Sequence, residues 1–185
     1  MGEVIRLVPK KVNLKDLIPV WVYHNNKFFS VPNYLIHKNT GEVYSLKRAI
    51  AKENLLQLTP FVDSGKNCYP RICVSDQILF KDLSNKVKHI FLHRTLVISN
   101  IFHFNRLAEF LHKAYPHIPL KVFKNTPREI LELTLIGLEV NHIDHNKLNH
   151  QFSNLELVSS QDNSKKYENH RKKVARKRKK YDKHI

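Results

Sequence analysis

The sequence predicts an α+β protein, with a small antiparallel sheet of hairpins first, then helices, then a strand–loop–strand–helix unit and a basic tail. Three observations predict it. Residues 18–92 break into short β-branched and aromatic runs separated by turn residues. From His93 onward the apolar spacing changes to steps of three and four. Residues 139–163, EVNHIDHNKLNHQFSNLELVSSQDN, crowd histidines and asparagines around the apolar pair Leu155 and Leu157.

The elements follow in order. Val20-Trp21-Val22-Tyr23 reads as a strand and His24-Asn25-Asn26-Lys27 as a turn. Further strands are expected at Tyr34–His37, Glu42–Ser45, Leu55–Leu58, Arg71–Val74 and His89–Leu92, with Asn39-Thr40-Gly41 turning one hairpin. A helix over Leu46–Leu58 is the alternative for that stretch. In HRTLVISNIFHFNRLAEFLHKAY, residues Val97, Ile101, Phe104, Ala108 and Leu111 line one face of a helix that Pro116 ends. Pro119 is expected to keep the next residues extended. Thr126-Pro127-Arg128-Glu129 reads as a capping box with proline in the first turn, and Gly137 as the far end of that helix. Leu138–His142 and Leu155–Val158 are then two strands, and Ser159 or Ser160 caps a helix carrying Asn163. In that unit Asn141 and His142 are expected to face Asn163 across a gap the size of a metal ion. On this reading alone, a polar hairpin whose asparagines satisfy their own turns is the simpler account.

Charge narrows the partners. The 185 residues hold 32 Lys/Arg against 16 Asp/Glu, a formal net charge of +16, which points to a polyanion and by default to nucleic acid. Residues 165–185 contribute eleven Lys/Arg against Glu168 and Asp182. Such a run is either a solvated disordered tail or an arm that becomes helical against phosphates. No apolar run reaches the ~18 residues that would span a bilayer. The start, MGEVIRLVPKK, has no apolar core of a signal peptide, and Arg6 departs from a myristoylation pattern. Two cysteines, Cys68 and Cys73, are too few for a disulfide scaffold or a four-cysteine zinc site. An intracellular protein is expected, in the cytoplasm of a bacterial host if the gene is a phage's.

HIDHNKLNHQFSNLELV, with the spacing His142–Asn154–Asn163, resembles the HNH endonuclease family, whose nuclease unit is a ββα-metal finger. LHRTLV (92–97) resembles the family's His-Arg-Leu-Val helix. NTGEVYSLK (39–47) looks like the DNA-binding module that precedes the nuclease in phage intron-encoded homing endonucleases, and LQLTPFVDSGKNCYPRICV (56–74) fits the strand pair between them. The resemblance covers about residues 20–165, through motifs in the family's order. It implies three parts: an N-terminal β-rich DNA-binding module over 1–92, a nuclease domain over 93–165 with a helical insertion at about 104–138, and a basic tail over 166–185.

The resemblance also implies roles. His142 matches the general base that takes a proton from water, for which a neutral imidazole is available near its ordinary pKa of ~6.5. Asn141 and Asn163 match the protein ligands of one divalent cation, and Asn154 matches the residue that fixes the loop and orients the histidine. Amide oxygens suit a hard ion, Mg²⁺ or Mn²⁺, rather than zinc or copper. The products implied are a 5′ phosphate and a 3′ hydroxyl. Double-stranded DNA is the expected partner of a monomer that nicks one strand, with no membrane and no obligate protein partner. The residues expected on DNA are Lys47, Arg48, Arg71, Arg94, Lys147, Lys165, Lys166, Arg171, Lys172, Lys173, Arg176, Lys177, Arg178, Lys179 and Lys180. The alternative function is a non-catalytic nucleic-acid-binding protein that keeps the same scaffold. The sequence departs from the family at Asn141, where Asp is usual, at His145, where Gly is usual, at His150, where Asn is common, and over the 104–138 segment.

Overall fold

The computed structural model describes residues 12–47, 55–62, 69–83 and 86–181, with side chains as far as Arg176. Arg48, Cys68 and most of the stretch offered as an alternative helix lie outside the described residues, as do the side chains of Lys177–Lys180. The architecture is α+β. Contacts divide the chain into two units, one made of residues up to Arg106 together with Asn146–Leu155, the other of Leu107–His145 with the residues from Glu156 onward.

In the first unit β1 (Leu17–His24), β2 (Lys27–His37), β3 (Val43–Ser45) and β4 (Leu56–Gln57) form an antiparallel sheet in chain order. The hairpin between β1 and β2 turns on Asn25 and Asn26, both at positive φ (48° and 60°), a conformation asparagine tolerates better than most residues. Alternation along β1 buries Ile18, Val20 and Val22 on one side. A second antiparallel pair, β5 (Arg71–Ser75) with β6 (Val87–Phe91), runs directly into α1 (Leu92–His103). α1 is buried along nearly its whole length and locks onto β1, where Ser99 Oγ accepts the Trp21 N–H at 2.9 Å and Phe102 stacks on Trp21.

The long apolar period after His93 is two helices, not one. α1 stops at His103 and α2 (Leu107–Ala114) begins beyond a turn in which Asn105 takes φ 52°. Phe104, expected on the buried face, is 40 % exposed at that break. Pro119 does not keep the chain extended; it precedes α3 (Leu120–Asn125). The Thr126 hydroxyl donates back to Val122 O and caps nothing ahead of it, and α4 (Arg128–Ile136) starts after Pro127 with no side-chain cap. Gly137 does end α4, with φ −74° rather than in the left-handed region.

The second unit closes with β7 (Leu138–His142) paired to β8 (Leu155–Ser159) and with α5 (Ser160–Tyr181). Ser159 Oγ accepts the Asp162 N–H at 3.1 Å and donates to Asp162 Oδ2 at 2.8 Å, a cap of the expected kind. The basic run is therefore the continuation of one helix, from Ser160 to Tyr181. Among the described residues, no helix is long and apolar enough to cross a membrane.

Gly41 ties the 39–47 stretch to the loop before β8. It holds φ +73°, and a Cβ there would lie 3.0 Å from His150 Cδ2 and 3.3 Å from Leu96 Cδ2. Next to it the Phe152 N–H donates to Asn39 O at 2.7 Å. Gly41→Ala is expected to lower unfolding stability by about 1–3 kcal/mol through left-handed strain and crowding. Denaturant unfolding of the two proteins measures it.

Candidate nuclease and metal site

The second unit carries Asn141, His142 and Asn163 on the first strand and the helix of a ββα arrangement. β7 supplies the first two. Successive side chains of a strand leave on opposite faces, so Glu139 and Asn141 share one side and His142 takes the other. Asn141 is half-buried, whereas His142 is 3 % exposed and ends the strand in a turn closed by the His145 N–H on His142 O. In an ideal strand adjacent positions leave on opposite faces, so the pleat by itself gives no reason for Asn141 and His142 to face Asn163 together.

On the Asn141 side the polar groups are tightly connected. Asn141 Nδ2 donates to Glu156 Oε1 at 2.8 Å, and Lys166 Nζ reaches the same oxygen at 2.6 Å. Asn163 Nδ2 donates to Glu139 Oε2. A carboxylate only accepts, so each asparagine must turn its NH₂ toward its glutamate. The carbonyl oxygen is then what each amide has left to offer. Glu139 and Glu156 were not singled out from sequence, though the two-residue step from Glu139 to Asn141 on a strand was the available signal. Lys166, expected on DNA, is paired with Glu156 in this structure.

Beside this cluster lies a groove of about 590 Å³ lined by Asn141, Glu156, His145, Lys166, His170 and Lys173. The His145 and His170 rings lie against each other at a 34° tilt with centroids 4.0 Å apart, and burial together with the His170 neighbour lowers the His145 pKa. His145 holds φ 61°, a left-handed position that costs a residue with a side chain.

The first unit holds the rest of the loop. Asn154 ends a 3₁₀ turn (Phe152–Asn154) and donates through Nδ2 to Asn149 O at 2.8 Å, bracing residues 149–154. His150 sits there with its pKa lowered, chiefly by burial, against the opposing pull of Leu148 O and Glu42. Of the residues expected on DNA, Lys47 donates to Ser75 and Arg71 lies over the Phe91 ring at 4.4 Å. Lys147 lies over the Tyr69 ring at 4.6 Å, and Arg94 is half-buried on α1. In the second unit Lys165, Arg171, Lys172, Lys173 and Arg176 are exposed along α5, with Lys172 also paired to Glu168 at 2.7 Å.

Residues 136–165 match the family described as HNH endonuclease. The matched segment runs from α4's last residue to α5's first turns. No curated protein matches the chain. Among solved structures it is similar to the HNH homing endonuclease I-HmuI, at 22 % identity and a TM-score of 0.43, over 75 % of this chain and 53 % of that one. The chain thus spans about half the length of that structure.

Among the described residues no group of three His, Cys, Asp or Glu could hold a metal ion. By their chemistry, two amide oxygens beside two carboxylates suit a hard ion that keeps several waters better than a soft one.

His150 gives a pH dependence. Its folded pKa is depressed, so the folded protein resists the proton that the unfolded chain takes up. Its contribution is therefore intact above the ordinary imidazole pKa of ~6.5 and is lost as pH falls through and below it. In His150→Asn the melting temperature is expected to fall less than in wild type between about pH 8 and about pH 5. Parallel melting curves would show that His150 does not titrate in this way.

Proposed function

We propose that the chain is an HNH-type DNA endonuclease that hydrolyses a phosphodiester with one divalent ion, nicking one strand and leaving a 5′ phosphate and a 3′ hydroxyl. The supporting observation is that the HNH segment coincides with a strand, strand and helix carrying Asn141, His142 and Asn163.

In this reading His142 accepts the proton of the attacking water. Asn141 and Asn163 would hold a Mg²⁺ or Mn²⁺ ion, which when bound would supply Lewis-acid stabilisation of the negative charge that develops on cleavage. Asn154 braces the loop between the strands. The exposed cations of α5 meet phosphates and set affinity without reading sequence, and the hairpin sheet with the 39–47 stretch provides the second contact surface on DNA. One site per chain makes a monomeric nickase the simplest form.

The burial of His142 favours a second reading, a nucleic-acid-binding protein that no longer cuts. A supercoiled-plasmid assay with Mg²⁺, Mn²⁺ and EDTA separates the two. Nicking that EDTA abolishes supports the enzyme; retardation of the plasmid without nicks supports the binder. His142→Ala is expected to cost ~10²–10⁴ in rate with DNA affinity nearly unchanged. Full activity in that variant would remove His142 from the mechanism.

A further expectation concerns α5. Each phosphate contact contributes ~0.9 to the log–log salt slope of binding to duplex DNA. Replacing Arg171, Lys173 and Arg176 together by Gln should flatten that slope by roughly 2–3, on a specific and a scrambled duplex alike. Binding isotherms across a salt series read it, and an unchanged slope would take these three side chains off the DNA.

A further inference from the structure

We propose that Glu139 and Glu156 are positioning residues for the cation, and that they supply the negative charge that Asn141 lacks. This rests on the reading that Asn141 and Asn163 hold a divalent ion. Two neutral amides are a weak ligand pair for Mg²⁺ or Mn²⁺, since neither contributes charge. In this chain each is tied to a carboxylate: Asn141 to Glu156 at 2.8 Å and Asn163 to Glu139. A carboxylate that accepts a ligand's N–H fixes the orientation of that ligand and increases electron density on its donor oxygen.

The arrangement is specific to one face of the ββα unit. Glu139 and Asn141 stand two apart on β7, Glu156 is on β8, and Asn163 and Lys166 are three apart on α5. The chain is strongly basic, with a formal net charge of +16, yet it places two carboxylates here. Among the described contacts, the cation paired with them is Lys166, which is 42 % exposed and touches Glu156 alone. A half-exposed ammonium is readily exchanged for a doubly charged ion. An Asp at 141 would set a second carboxylate at hydrogen-bond distance from Glu156, a pairing that raises the pKa of one of the two. Asn141 with Glu156 therefore carries the charge one position further out than an Asp would.

The same bonds also join α5 to β7 (Asn163 with Glu139) and β7 to β8 (Asn141 with Glu156), so a structural role must be separated from a metal role. Gln in place of Glu keeps an oxygen that can accept the asparagine N–H and removes only the charge. The experiment is direct Mn²⁺ titration of the full-length protein, read by the electron paramagnetic resonance of free Mn²⁺ up to millimolar concentration, with melting temperatures alongside. Glu139→Gln and Glu156→Gln are each expected to weaken Mn²⁺ binding ~10–100-fold while melting close to wild type. Adding Asn141→Asp to Glu156→Gln returns the charge, with the glutamine now donating to the aspartate, and is expected to restore affinity to near wild type. Wild-type affinity in both Gln variants, or no recovery in the double variant, overturns the proposal. Asn163→Ala serves as the control. If it binds Mn²⁺ as wild type does, or if wild type binds none, the metal reading itself fails; if it loses Mn²⁺ while the Gln variants keep it, only the role of the glutamates fails.

Discussion

α5 has no apolar face to bury. Along its described length the half-buried positions are Asn163, Lys166 and His170, spaced three and four apart, and the residues around them are exposed. A helix usually docks by an apolar stripe; this one docks by a polar stripe. Asn163 meets Glu139, Lys166 meets Glu156, and the His170 ring lies tilted against that of His145. Each contact is modest alone, because exposed ion pairs contribute ~0–1 kcal/mol and net hydrogen bonds ~0.5–1.5 kcal/mol. Together they set the rotation of α5 about its axis, and that rotation decides which side of it meets β7 and which side is left for a polyanion. A two-stranded ladder such as β7–β8 is itself marginal in isolation. Burial of Leu138, Leu157 and Val158, at ~1.5–3 kcal/mol per side chain, stabilises it. The polar stripe then fixes the helix on a platform that apolar packing has made.

The hairpins, the ββα order and the Ser159 cap were legible in the sequence because each depends on neighbours in the chain. Asn25-Asn26 turns because asparagine tolerates positive φ, and Ser159 caps because Asp162 lies three residues on. The break between α1 and α2 was not legible. The three- and four-residue period runs through Phe104, and the left-handed Asn105 that interrupts it sits in an Asn-Arg pair that carries no obligatory turn signal. Thr126 misled for a related reason. A threonine can cap forward or bond back to the previous helix, and only the presence of α3 behind it decides.

Within the site the legible part was the spacing of the asparagines and histidine, which a family resemblance made readable. The illegible part was the pair of glutamates. Glu139 and Glu156 are seventeen residues apart in the chain and meet the site through strand pairing and helix docking. For Glu139 the two-residue step to Asn141 was a local signal, but nothing local joins Glu156 to Asn141.

Along β7 the polar groups are handled in two ways. Glu139 and Asn141 are tied to Asn163 and Glu156 by hydrogen bonds, whereas His142, the last residue of the strand, is 3 % exposed. Three residues further on His145 holds φ 61°, and its ring lies against His170 of α5 with centroids 4.0 Å apart. His145 therefore joins the turn after β7 to the helix that carries Asn163, so the end of the strand and the seating of α5 depend on the same few side chains.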